Sequence, residues 1–317
     1  MTSYSLAKDD LTVLTIHKPD KNSLGGLSIR LLKAYIPSIN RIYGFNRNTG
    51  KRFLYNDVKE FKNKLTKAFF QYVLRENINI TYKRVRVDIN IGLATYRFRR
   101  CDLDNLLKVI IDAMKGTFIS DDKNIVMLRC VKYDNRIGDM IDIIIKDAEF
   151  NSYDDDYKID YNIDYFSTKL EEDIDKLKAV YKDKSQVFIM EAEIPSFNEL
   201  WRVRSYKGRV WLYINDEVKS KIKRLDEEMI AQRLLLNKSY CYSYLDYGVD
   251  IRVFMGKNDF DKRDIDNMLK VLIDRLEGKF IRNDRDICKL SIWKYFDPRL
   301  KKGKCDVYIR VFGYELS

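Results

Sequence analysis

The chain is poor in the residues on which much enzyme chemistry depends. Histidine occurs once in 317 residues, as His17, so a histidine general base or a histidine metal ligand is nearly excluded. The five cysteines, Cys101, Cys130, Cys241, Cys288 and Cys305, contain no C-x-x-C pair, and their odd number and scatter argue against a zinc knuckle and a disulfide framework. A reducing compartment follows. No apolar run approaches the roughly 18 residues that span a membrane, and the opening MTSYSLAKDDLTVL lacks the basic-then-apolar pattern of a signal peptide. A soluble cytoplasmic protein without a membrane partner is expected, with chemistry carried by carboxylates, lysines or hydroxyls.

Basic residues are plentiful: Lys and Arg number 59 against 48 Asp and Glu, and the surplus builds a positive potential that attracts polyanions, nucleic acid first among them. Ribosomal and membrane-surface proteins share that signal. The length suits two ordinary domains of roughly 100–150 residues, and 45% hydrophobic content can supply a core for both.

The sequence repeats itself. DLDNLLKVIIDAMKGTFISDDKNI from Asp102 matches DIDNMLKVLIDRLEGKFIRNDRDI from Asp264 without a gap and with about half its positions identical. Upstream, IPSINRIYGFNRNTGKRFLYND (Ile36 to Asp57) parallels IPSFNELWRVRSYKGRVWLYIND (Ile194 to Asp216). Each half then reads alike. A first helix starts near Asn56-Asp57 and Asn215-Asp216, whose side chains can cap free N–H groups. Alternating apolar residues give strands over Val85 to Leu93 and Val249 to Met255. An acid-bearing helix follows, ended by Gly116 or Gly278, then strands over Ile125 to Tyr133 and Met140 to Ile145, matched by Ile287 to Tyr295 and Cys305 to Val311.

The fold class expected is α/β, or α+β: two tandem copies of a small mixed-sheet unit, at 30–147 and 186–317. Residues 1–29 read as an N-terminal extension dispensable for folding, unless LTVLTI adds a strand. Residues 148–185 read as a Tyr/Asp-rich linker with a helix from Ser167 to Tyr181, where Thr168 and Glu171 stand at capping-box spacing. From Asp147 to Gln186 twelve acids oppose six bases, which suits a solvated spacer or an acidic strap over a DNA surface.

Asp104, Lys108 and Asp112 fall at i, i+4 and i+8 and share one helix face, expected to point outward, and Asp266, Lys270 and Asp274 repeat the pattern. Acids clustered where a phosphodiester must bind would repel it, unless oxygen ligands hold Mg²⁺, with Mn²⁺ as a possible substitute. A lysine beside them can neutralise charge in the transition state. Asp102, Asp104 and Asp122 with Lys108 are taken as one set, and Asp264, Asp266 and Asp284 with Lys270 as the other, Asp121 being a further candidate ligand. The competing account makes these acids helix caps and surface ion pairs. Arg41, Tyr43, Arg47, Lys51 and Arg52 interleave bases with an aromatic, as do Trp201, Arg202, Arg204, Lys207, Arg209 and Trp211, and such loops suit phosphate contacts and stacking on unpaired bases.

The motif R-R-x-D-x-D-N-x-x-K-x-x-x-D-A from Arg99, then D-D-x-x-I from Asp121, preceded by P-S-x-N ending at Asn40, resembles the RusA-type Holliday junction endonucleases of bacteriophages and prophages. The resemblance covers about residues 30–147 and 186–316. It implies magnesium-dependent nicking of opposing strands of a four-way junction by a homodimer of small α/β subunits. It further implies that Asp102, Asp104, Asp122, Asp264, Asp266 and Asp284 bind metal and that Lys108 and Lys270 are essential. Asn40, Asn198, Arg99, Arg100, Lys262 and Arg263 join the expected DNA contacts. If phage-encoded, the protein works in the cytoplasm of a bacterial host. Two departures stand out: Asp121-Asp122 becomes Asn283-Asp284, and the family's subunit is half this length. Fusion would then give an intramolecular pseudo-dimer, monomeric as a chain. A catalytically weak or inactive junction-binding protein and a nuclease for flaps or forks remain the alternatives.

Overall fold

The computed structural model describes residues 12–17, 27–32, 36–37, 42–46, 49, 51–148, 185–196, 200, 202–206, 209–235 and 246–313. In the first repeat the elements are β1 (Thr12–His17), β2 (Leu27–Leu32), β3 (Tyr43–Phe45), β4 (Arg52–Leu54), α1 (Asn56–Glu76), β5 (Val85–Leu93), α2 (Thr95–Phe98), α3 (Leu103–Met114), β6 (Ile125–Asp134) and β7 (Met140–Asp147). The second runs β8 (Ser185–Ala192), β9 (Arg202–Tyr206), β10 (Arg209–Tyr213), α4 (Asp216–Leu235), β11 (Tyr247–Met255), α5 (Lys257–Lys262), α6 (Ile265–Leu276), β12 (Ile287–Phe296) and β13 (Cys305–Gly313). The expected linker helix lies outside the described residues.

β5 and β6 are parallel, so the chain must cross over between them, and α2 and α3 make that crossover. β11 and β12 are joined in the same way through α5 and α6. The buried residues of β5 alternate, Val85, Val87, Ile89 and Ile91, as the period-2 pattern predicts, with one face on the core. The first helix starts where expected in both repeats, but the caps differ. Asn215 Oδ1 accepts from Glu217 N at 3.1 Å, whereas Tyr55 precedes α1 without a side-chain cap.

A nine-stranded sheet runs in the order β1-β2-β7-β5-β6-β12-β11-β13-β8. Apart from β1 it is palindromic, each repeat giving four strands in mirrored order. The seam is β6 against β12, antiparallel, where Arg129 faces Ser291, Leu128 faces Ile292 and Cys130 faces Leu290. Arg129 and Ser291 hold the same position in the two repeats, so an approximate two-fold axis passes between them. The hydrophobic core is continuous across the seam. The two units of the pseudo-dimer thus meet through a shared sheet with helices packed over it, and its central backbone hydrogen bonds leave neither repeat an open edge there.

Strands β2 and β8 had no counterpart in the sequence reading, and the ribbons β3–β4 and β9–β10 stand where loops were expected. β2 and β8 flank the units, and β1 adds to β2 in antiparallel register, Val13 opposite Leu31 and Thr15 opposite Ile29. The segment set apart as an extension therefore supplies an edge strand, and the 1–29 boundary cuts through β2.

Candidate metal centres

Within one repeat the first two aspartates and the third lie at opposite ends of the crossover helix. Asp102 and Asp104 sit at the N-cap and first turn of α3, while Asp122 opens a 3-10 turn beyond its far end. Twelve helical residues extend about 18 Å at 1.5 Å per residue. Asp122 therefore cannot join its own pair, and the grouping of acids by repeat is corrected: the repeats exchange their third aspartate and their lysine.

The exchange is visible across α3 and α6. Lys270 Nζ lies 2.6 Å from Asp104 Oδ2, and Lys108 Nζ lies 2.7 Å from Asp266 Oδ2. The order of these contacts, 104 with 270 and 108 with 266, makes the helices antiparallel. The acid face expected to point outward is turned onto the other repeat's helix instead. Lys108 also keeps its i,i+4 pair with Asp112 at 3.1 Å, and Lys270 its pair with Asp274 at 3.0 Å. With two carboxylates each, both lysines are held well above the usual lysine range despite burial, and stay charged.

Centre A gathers Asp102, Asp104, Asp284 and Lys270. Centre B gathers Asp264, Asp266, Asp122 and Lys108, with Asp121 at its rim. In centre B, carboxylate oxygens of Asp121, Asp122 and Asp264 lie within 4.8 Å of one another. Burial, then Asp284 and Asp104, push Asp102 up to about 6 against the opposing pull of Arg285. Burial also raises Asp284, with Asp104 adding to it, and Asp264, with Asp266 adding to it. Burial and its hydrogen bond with Asp121 push Asp122 up, and the same bond holds Asp121 down.

The capping account can be checked directly. Asp102 and Asp264 occupy N-cap positions but make no side-chain cap. Their carboxylates instead accept from Asn105 Nδ2 at 3.1 Å and Asn267 Nδ2 at 2.7 Å, which orients them toward the centres. Asp121 and Asn283 do cap, accepting from Lys123 N at 3.2 Å and Arg285 N at 3.0 Å. That explains why asparagine can replace aspartate there, since either oxygen satisfies the turn. Gly116 and Gly278, at φ 76° and 72°, reverse the chain between each helix and its turn.

A divalent cation fits these donors. Asp266 Oδ1 and Asn267 Oδ1 are buried and receive no hydrogen bond among the described residues, a state unfavourable by roughly 1–3 kcal/mol each unless a further partner is supplied. Oxygen-only carboxylate sets suit Mg²⁺ and its relatives.

The family model for the RusA endodeoxyribonuclease matches the chain twice, over residues 36–146 and 201–311. This chain belongs to the RusA endodeoxyribonuclease family. Comparison with curated proteins gives no match. The RusA family comprises endonucleases that resolve Holliday junctions, bind branched DNA and depend in general on divalent metal. The two matches fall on the two repeats, which makes the chain a tandem RusA duplication.

The residues expected to meet DNA in a RusA-type enzyme divide three ways. Arg202 and Arg204 are exposed on the β9–β10 hairpin, where Arg204 stands opposite Trp211 and Arg202 opposite Tyr213. Trp211 and Tyr213 are themselves 46% and 44% exposed, so one ribbon face offers two cations and two rings. In β3–β4, Tyr43, Phe53 and, just beyond, Tyr55 are exposed. Lys51, Arg100 and Lys262 are exposed too. Two are committed to structure: Arg263 binds Asp259 at 3.0 Å and the Ile194 carbonyl, and Arg99 pairs with Asp246 of the other repeat. Both keep these partners in the DNA-free chain, and the Arg99 side chain remains 48% exposed. Asn40, Arg41, Arg47, Asn198, Trp201 and Lys207 lie outside the described residues, as do the side chains of Arg52 and Arg209.

The structure adds residues that sequence spacing did not single out. Lys115 bonds Asp122 at 2.8 Å and Asp121 at 3.3 Å, and Arg285 bonds Asp102 at 3.2 Å. The signal lay in the repeat alignment, where Lys115 faces Glu277, a reversal of charge, and Lys123 faces Arg285, a change of shape and reach at constant charge.

Proposed function

We propose that the chain is a Mg²⁺-dependent endonuclease, with Mn²⁺ able to substitute, that resolves four-way DNA junctions by paired nicks as a single-chain pseudo-dimer. One observation carries this reading: two like acid centres stand about one approximate two-fold axis, each needing both repeats. Cutting two strands of like polarity requires two sites so related, and fusion supplies them in one chain.

Asp102, Asp104 and Asp284 would hold metal in centre A, and Asp264, Asp266 and Asp122 in centre B. The bound cation would polarise the phosphoryl group and make hydroxide available near neutral pH. The protein's own share is placement. Asn105 and Asn267 orient the capless aspartates, and Lys270 and Lys108 keep a fixed positive charge beside the site of developing negative charge. Both lysines stand against the inner carboxylates that would hold the cation, at 2.6 Å from Asp104 and 2.7 Å from Asp266. The Arg202, Arg204, Trp211 and Tyr213 ribbon would grip backbone and stack on unpaired bases.

The test is a labelled four-way junction incubated with Mg²⁺ or EDTA, beside flap, fork and plain duplex substrates. Paired, Mg²⁺-dependent nicks confined to the junction are expected. Retardation without nicking would identify a junction-binding protein, and preferential cutting of flaps or forks would reassign the substrate. Among the described residues no helix is long and apolar enough to cross a membrane.

A further inference from the structure

Two lysines that the mechanism does not use are among the most deeply buried side chains in the molecule. Lys132 on β6 is 0% exposed and Lys294 on β12 is 3% exposed. They occupy the same repeat position. Burying an ammonium is costly where an apolar side chain of similar volume would pack without desolvation, so its presence twice calls for a reason beyond core filling.

Their contacts supply one. Lys132 Nζ donates to the Cys101 carbonyl at 3.0 Å and to the Arg285 carbonyl. Cys101 immediately precedes Asp102, and Arg285 immediately follows Asp284 in the other repeat. Lys294 Nζ donates to the Arg263 carbonyl at 3.0 Å, the Phe260 carbonyl at 3.1 Å and the Lys123 carbonyl. Arg263 precedes Asp264, and Lys123 follows Asp122. Each ammonium therefore ties the backbone leading into one repeat's aspartate pair to the turn carrying the other repeat's third aspartate. The rings of Phe98 and Phe260, 5.4 and 5.3 Å from the respective nitrogens, close the remaining side. Lys132 serves centre A alone, and Lys294 centre B alone.

We propose that Lys132 and Lys294 are positioning residues, one for each centre, that fix the spacing between carboxylates donated by different repeats and thereby set each centre's affinity for a divalent cation. This rests on the metal-dependent reading above. The lysines touch neither metal nor DNA. They act through the main chain, as groups outside the ligand shell do when they orient the ligands within it, where substitution typically lowers metal affinity ten- to a hundredfold.

The two centres provide an internal control. In a full-length chain carrying Asp266→Asn, Mn²⁺ titration by calorimetry reports centre A; in one carrying Asp104→Asn it reports centre B. Adding Lys132→Met should weaken Mn²⁺ binding at least tenfold in the first background and less than twofold in the second. Lys294→Met should do the reverse. A purely structural role would lower melting temperature and weaken both centres together, so equal effects in both backgrounds, or none in either, would overturn the proposal. Should Lys132→Met fail to fold, Lys132→Gln, which keeps one amide donor without the charge, is read by the same criterion alongside the Lys294 variants. Failure of the unsubstituted chain to bind Mn²⁺ or to nick a junction would overturn the metal-dependent reading itself, whereas two Mn²⁺ per chain with no lysine dependence would overturn only this inference.

Discussion

Centre A and centre B share three aspartates and a lysine in the same arrangement, yet their surroundings differ in sign. Beside centre B stands Lys115, bonded to Asp122 and Asp121. The equivalent position beside centre A is Glu277, whose carboxyl is raised by burial and by nearby Asp284 and Asp274. Centre A has its cation elsewhere, as Arg285, which reaches across the seam to Asp102. The inner acids are tied to one geometry by contacts from both repeats, so a change there disturbs two helices. The rim charges are partly solvated, with Lys115 and Arg285 each 44% exposed, and can move or change sign at modest expense. Duplication has kept what the fold clamps and varied what it leaves loose.

Substitutions paired across the repeats separate the two centres most clearly. With composite centres, Asp102→Asn plus Asp284→Asn disables centre A alone, leaving an enzyme that nicks one strand. Asp102→Asn plus Asp122→Asn disables both centres and lowers total nicking by about a hundredfold or more, the scale of losing a main source of transition-state stabilisation. A cruciform plasmid reads this directly, as nicked circle in the first case and uncut substrate in the second. The opposite pattern would restore the grouping by repeat.

Acidity offers a second handle. Asp102 is held up at about 6, above its value near 4 in an unfolded chain. The folded state therefore binds the extra proton between those values, and stability should fall as pH rises from about 4 to about 6, the loss being complete above that window. Asp122, Asp264 and Asp284, raised in the same direction, add to the trend. Melting of metal-free protein followed by circular dichroism should show this decline, with Mg²⁺ raising the melting temperature more at pH 7.5 than at pH 5.

Rim charges should matter less. Lys115→Ala, in the Asp104→Asn background, is expected to tighten Mn²⁺ binding at centre B a few-fold by removing a competing cation, while lowering metal-free stability by no more than about 1 kcal/mol. Arg285→Ala should do the same for centre A in the Asp266→Asn background. Calorimetry that shows weaker binding instead would mean these cations assemble the centres rather than compete for them.

A smaller effect concerns β1, which among the described residues has no mirror partner in the sheet. Deleting residues 1–17 removes β1 and uncovers the edge of β2, whose Leu27, Ile29 and Leu31 are fully buried. A drop of a few degrees in melting temperature is expected, with nicking at both centres unchanged. A wild-type melting curve would show the strand to be dispensable after all.

Much was legible in the sequence because it is locally encoded. The period-2 runs of β5 and β11, the apolar arc of α3, the glycines after α3 and α6 and the repeat itself depend on neighbours within a few residues. The acids could be named for the same reason, as a short motif found twice. β2 and β8 were missed because no repeat match brackets them, β3–β4 and β9–β10 because such short basic, aromatic segments suit loops equally well, and α2 and α5 because each is a single short stretch. The partners of Arg99 and Arg263 were not legible because a surplus of charge does not say where each cation goes: one meets Asp246 and the other Asp259 and a carbonyl.

The linear sequence was enough for the kind of unit, its number, and the side chains proposed to do chemistry. Which of those side chains work together was decided only in the tertiary structure. A helix of 12 residues holds Asp122 a helix-length away from Asp102 and Asp104, and antiparallel pairing of β6 with β12 turns the second repeat so that its Asp284 fills the vacancy. Linear spacing reports that two acids recur together; only the rigid length of the helix and the two-fold seam report that they recur in different centres.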